Sequence, residues 1–66
     1  MKVCVVFAGN TKRVGMPREA KAIDVVRKLR VNPETVIIKR GGEILLENET
    51  LKNNDRIELI KVVSGG

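Results

Sequence analysis

Arg56-Ile57-Glu58-Leu59-Ile60-Lys61-Val62-Val63 is the most strand-like stretch of the chain, and Ser64-Gly65-Gly66 follows it directly. Period-two geometry sets Ile57 and Leu59 on one face, and Arg56, Glu58, Ile60 and Val62 on the other. Glycine has no Cβ, so Gly65 and Gly66 form a thin, pliant end. Such an end can thread a channel that a side chain would block, with Ser64 as a polar spacer behind it. The special group it carries is the α-carboxylate of Gly66. That group is ionised at neutral pH and inert as an acyl donor until something activates it.

Working outward, residues 2–7 read as a strand with Val3, Val5 and Phe7 on one face and Lys2, Cys4 and Val6 on the other. Ala8-Gly9-Asn10 supplies turn chemistry, and residues 11–16 return as a second strand that Pro17 ends. Residues 22–30 are the one helix candidate, with Ala22, Ile23, Val26 and Leu29 on a stripe. Its last turn carries Arg27, Lys28 and Arg30, favourable at the negative end of the helix dipole. Its start is poorly capped, since Lys21 stands where Ser, Thr or Asp is preferred. Val31-Asn32-Pro33 is expected to stop it, because the residue before a proline avoids helical angles. Residues 35–40 and 43–46 read as strands joined by Gly41-Gly42, a pair suited to a turn that needs two positive φ angles. Residues 47–54 form a polar connector from which Leu51 dips into the core, and Asn53-Asn54-Asp55 turns the chain into the last strand.

The order is strand, strand, helix, strand, strand, strand. One helix must bury its stripe against one face of the sheet, giving an α+β fold of two layers. The most economical sheet sets the last strand in the centre, parallel to the first. That is the β-grasp arrangement of ubiquitin-like proteins, here a domain over residues 1–62 with a diglycine tail at 63–66.

The totals agree with one small domain. A chain of 66 residues leaves no room for a deep catalytic cleft beside a core. One Phe and no Tyr or Trp remove the usual stacking platforms for single-stranded nucleic acid. One cysteine and no histidine exclude an intrachain disulfide and a zinc site, so no metal or bound cofactor is expected. Cys4 reads as a small apolar strand residue. No apolar run reaches the roughly 18 residues of a membrane span, and the cytoplasm is the expected compartment. The net charge of +5 is uneven, with the excess of basic side chains in residues 1–31, a half suited to an acidic surface or RNA or else an ordinary solvated, lysine-rich face.

Several segments then resemble one family, the ThiS/MoaD-like and ubiquitin-related sulfur carriers. Val31-Asn32-Pro33-Glu34-Thr35-Val36 resembles the family's passage from helix to third strand. Gly42-Glu43 resembles its hairpin turn, Leu51 to Leu59 its entry into the final strand, and Val63-Ser64-Gly65-Gly66 its terminal signature. Lys21 departs from the Thr or Ser often found at the helix start. The connector at 47–54 is shorter than in MoaD-type members, which points away from pterin-cofactor synthesis. The compact form is similar to the carriers of thiamine (thiazole) biosynthesis or tRNA thiolation, and the Asn-Pro-Glu-Thr-Val run favours the latter.

The resemblance implies a carrier rather than an enzyme. A partner of the ubiquitin-activating type would use ATP and Mg²⁺ to adenylate Gly66. A persulfide or sulfide would convert the adenylate to a thiocarboxylate, which a downstream thiolase or thiazole synthase would consume. Attack by a lysine amine instead would make the chain a protein modifier. The chain supplies no general base near the tail, consistent with a protein cosubstrate. For docking, Ile60, Val62, Val6 and Ile37 are expected on the open face of the sheet, with Val6, Ile60 and Ile37 side by side as an apolar patch. A β-grasp RNA-binding module with an incidental diglycine is the third alternative.

Overall fold

The computed structural model describes residues 1–62. The tail positions Val63, Ser64, Gly65 and Gly66 lie outside the described residues. The described residues form five strands, β1 (Lys2–Phe7), β2 (Asn10–Gly15), β3 (Val36–Arg40), β4 (Glu43–Ile44) and β5 (Arg56–Lys61), and one α-helix, α1 (Ala22–Lys28). They form one sheet in the order β2-β1-β5-β3-β4. The last strand is central, parallel to β1 and antiparallel to β3. This is the β-grasp arrangement expected from the element order.

The helix covers one face. Ala22, Val25, Val26 and Ile57 are wholly buried, and Val3, Val5, Ile38 and Leu59 close the layer between helix and sheet. Alternation accounts for the sheet's share, with Ile57 and Leu59 inward and Glu58 and Ile60 outward. The helical stripe differs from the sequence reading. Val25 is buried where Ile23 was expected, and Ile23 and Leu29 are only half-buried.

Most element ends are set by local chemistry. Ala8 and Gly9 have φ of 51° and 79°, so the first hairpin turns in two residues. Asn10 therefore already pairs with Phe7, and β2 starts one residue early. Gly41 and Gly42 have φ of 60° and 82° and close the second hairpin as their composition requires. The return strand is only two residues long. Leu45 donates to Ile38 O at 2.7 Å and turns inward, whereas the Leu46 N–H is taken by Glu49 Oε2 at 2.6 Å.

The helix stops earlier than Pro33 would require. Val31 N–H donates to Val26 O at 3.1 Å and Arg30 N–H to Arg27 O at 3.0 Å. This pair of bonds is a Schellman cap, and it puts Arg30 at a left-handed φ of 58° where glycine is preferred. Pro33 instead opens a 3₁₀ turn (Pro33–Thr35) that takes Thr35 out of β3. Asn32 caps that turn through its side chain, accepting from Glu34 N–H at 3.0 Å.

The start of α1 is half capped. Asp24 Oδ2 accepts from Lys21 N–H at 2.8 Å. The Lys21 ammonium has no lone pair with which to accept a bond in return, and backbone carbonyls meet the first-turn donors instead: Ala22 N–H donates to Glu49 O and Ile23 N–H to Glu47 O, both at 3.0 Å. Arg30→Gly is expected to add about 1 kcal/mol of stability, and Lys21→Ser to change it by no more than about 0.5 kcal/mol, since the N–H groups a serine would cap are already bonded. Their effects should sum, since nine residues of helical rise separate them by roughly 13 Å. Urea denaturation checks this through a raised midpoint at unchanged slope.

Candidate functional site

The face of the sheet away from the helix carries the exposed apolar surface. Ile37 of β3 and Ile60 of β5 are directly opposite each other and about equally exposed, at 36% and 37%. Cross-strand neighbours of this kind approach within about 5 Å. Val62 lies just past β5 and is half-buried, and its N–H donates to Thr35 O at 2.8 Å. The described chain therefore ends fastened to the head of β3, at the end of the central strand.

Val6 shares this face but does not lie beside Ile60. The parallel register pairs Cys4 with Arg56 and Val6 with Glu58. The position level with Ile60 falls at Ala8, which belongs to the hairpin turn. Val6 stands instead in the neighbouring row with Glu58 and Lys39, diagonal to Ile60. The expected trio is thus a pair with a displaced third member.

Two residues that the sequence reading left out extend the pair instead. Ile44 and Leu46 are 66% and 62% exposed. Together with Ile37, they line a shallow cleft of about 200 Å³ that also involves Pro33 and Leu45. Ile37, Ile44, Leu46 and Ile60 are the exposed large hydrophobic residues among those described. They run as one surface from the central strand across β3 to the β4 edge. The signal was present in Ile44-Leu45-Leu46. Three aliphatic residues in succession on an extended chain cannot all face one core, so an inward Leu45 turns both neighbours outward.

Cys4 sits half-buried between Arg13 of β2 and Arg56 of β5. Among the described residues, no three His, Cys, Asp or Glu side chains converge as metal ligands would. No helix among them is long and apolar enough to cross a membrane. The arrangement is an exposed apolar surface on and beside the central strand.

Solved structures with this architecture are ubiquitin-like. A Caldiarchaeum subterraneum ubiquitin matches all of this chain and 98% of its own at a TM-score of 0.75 and 23% identity. SAMP1 from Haloferax volcanii matches over the full length of both chains at a TM-score of 0.77 and 22% identity. These likenesses establish the fold. The ThiS family model matches residues 4–66, nearly the whole sequence, and the chain belongs to the ThiS family. A relative, sulfur carrier protein TtuB of Thermus thermophilus, is 37% identical over 43 residues, 65% of this chain and 66% of that protein. The shared region thus spans just under two thirds of that relative.

The patch should be energetically separate from the core. Ile44→Asp and Leu46→Asp are expected to change stability by no more than about 0.5 kcal/mol, because both side chains already face water. Leu45→Ala, between them, should cost about 2–5 kcal/mol. Chemical denaturation of the three variants tests this division, and a large loss in either Asp variant would place that residue in the core.

Proposed function

We propose that this protein is a sulfur carrier whose C-terminal Gly66 is adenylated, converted to a thiocarboxylate and used as a sulfur donor. One observation carries the reading: the ThiS family match runs through the diglycine to residue 66. The resemblance to sulfur carrier protein TtuB supports it.

The chemistry follows from what a carboxylate lacks. Its leaving group would be oxide, so it does not transfer its acyl group unaided. A partner enzyme of the ubiquitin-activating type uses ATP and Mg²⁺. A Gly66 carboxylate oxygen attacks the α-phosphorus, and pyrophosphate departs. The acyl-adenylate carries a much better leaving group, AMP. Sulfide displaces AMP directly and yields the thiocarboxylate. A persulfide instead gives an acyl persulfide, and a second thiol cleaves its S–S bond, taking up the oxidised sulfur as a disulfide. The small tail, Ser64-Gly65-Gly66, allows entry to the enzyme's active site, and Gly66 sets no side chain beside the reacting carbonyl.

The folded body serves recognition. Ile60 and Ile37, extended by Ile44 and Leu46, form the docking surface for the activating enzyme, with Val62 at its tail-side end. Val6 sits at the periphery of that contact. The protein itself is a cosubstrate, working in the cytoplasm. The sulfur's destination is tRNA thiolation, or else the thiazole of thiamine. The Asn32-Pro33-Glu34-Thr35-Val36 run favours the first.

Intact-mass analysis of the protein isolated from its native cell tests the proposal. The expected spectrum shows one oxygen exchanged for sulfur at Gly66. Ile60→Asp should remain folded and lose that mass change. Diglycine remnants on lysines of other proteins, with no thiocarboxylate, would replace the carrier by a protein modifier. An Ile60→Asp variant as fully thiocarboxylated as the wild type would remove the patch from the account.

A further inference from the structure

The opposite margin of the sheet carries a second feature that tail chemistry does not use. Strand β2 is an edge strand, paired with β1 alone among the described residues. The phase of that pairing is fixed at its end, where Met16 N–H donates to Met1 O at 2.8 Å and the Met1 amino group donates to Met16 O at 2.9 Å. Antiparallel bonds alternate, so Val14, Lys12 and Asn10 bond inward to β1. The backbone groups of Thr11, Arg13 and Gly15 therefore point outward. Lys28 Nζ, reaching across from α1, donates to Gly15 O and confirms that direction.

Beside this edge, the core is left open. The helix ends at Lys28, while the β1–β2 hairpin runs on to Ala8 and Gly9. Register puts Lys12 opposite the inward Val5, and Asn10 opposite Phe7. Polar side chains thus occupy the helix-side positions of β2 where apolar ones would close the layer. The result is a groove of about 320 Å³ floored by Val5, Phe7, Leu29 and Val31. Phe7, Leu29 and Val31 pack against the core but remain partly open. That volume is at the lower end of the roughly 300–1,000 Å³ typical of ligand pockets.

Charge selects the occupant. Residues 1–18 contain Lys2, Lys12, Arg13 and Arg18 and no Asp or Glu. Lys12 stands at the groove, Arg13 on the outward-bonding part of the edge, and Lys28 at its end. Lysines on an edge strand also discourage pairing with other chains. Guarding alone requires no apolar groove, and here the two occur together.

We propose that the β2 edge and its groove dock an extended, acidic-flanked peptide segment of a partner protein, added as a sixth strand. Backbone bonds run to Thr11 and Arg13, alternate apolar side chains enter the groove, and flanking carboxylates meet Lys12 and Lys28. The groove opens on the helix side of the sheet, and β2 lies two strand spacings, roughly 10 Å, from β5, so a partner there leaves the Ile37–Ile60 surface on the other face free.

The test uses the full chain and an eight-residue probe peptide in which valine alternates with threonine between pairs of aspartates. A lysine-flanked version is the control. Amide chemical shifts are expected to move at residues 10–15 and 29–31 with the acidic probe. Arg13→Pro removes an outward N–H and spares the β1 ladder, and should weaken binding roughly tenfold or more. Lys12→Glu should weaken it similarly, and decides the matter if Arg13→Pro does not fold. Shifts centred on Ile37, Ile44 and Ile60 would overturn the proposal. So would equal binding of the lysine-flanked peptide, wild-type affinity in both variants, or absence of any shift. A single-stranded oligouridylate binding the same residues more tightly than the peptide would also overturn it, making the edge a nucleic-acid site.

Discussion

The register of the central strand is the constraint on which the rest depends, and a short turn before it fixes that register. Asp55 Oδ2 accepts from Lys52 N–H at 2.7 Å and from Arg40 Nη1 at 3.0 Å, tying the turn to β3. On the other side, Asn54 N–H donates to Lys2 O at 2.8 Å, Cys4 N–H to Asp55 O at 2.8 Å, and Lys2 N–H to Asn53 Oδ1 at 3.0 Å. The chain enters β5 already bonded to both neighbours. A slip of one residue would send Ile57 and Leu59 to the open face and Glu58 and Ile60 into the core. With Ile57 wholly buried, that alternative is heavily penalised.

The same register gives one strand two duties. Its inward residues hold the helix, and its outward Ile60 meets Ile37 to start the apolar surface. Beyond Lys61 the chain is held once more, through Val62 to Thr35, before the family's diglycine signature. A partner that grips the open face thereby grips the strand leading to the acyl group. Proximity of this kind turns a search for a chain end into a local step.

Much of the fold was legible because alternation, turn chemistry and element order agreed. Gly41-Gly42 called for its turn, Leu51 dipped inward as its isolation among polar residues suggested, and the last strand took the centre. The helix end was harder to read. Pro33 offered an obvious stop, yet the Schellman cap at Arg30 acts earlier, through backbone bonds that a non-glycine residue does not announce. The candidate surface was legible in part. Ile37 and Ile60 follow from alternation alone, but the position of Val6 depends on the parallel register between β1 and β5, which no local pattern encodes. Alternation over residues 43–46 already set Ile44 and Leu46 opposite Leu45, but which of the two sets faces the core is decided by the pairing with β3. The groove beside β2 arises where the helix stops short of the hairpin, a mismatch of lengths visible only once both are folded.

The central claim is that a terminal carbonyl, presented at the end of this body, is the reacting group. Its most direct test replaces the chromosomal copy with a variant bearing one alanine after Gly66, shown by intact mass to remain untrimmed in the cell. The account predicts a folded protein in which sulfur is no longer found at the chain end and the product of the host thiolation pathway is lost. Normal output from that untrimmed variant would contradict it.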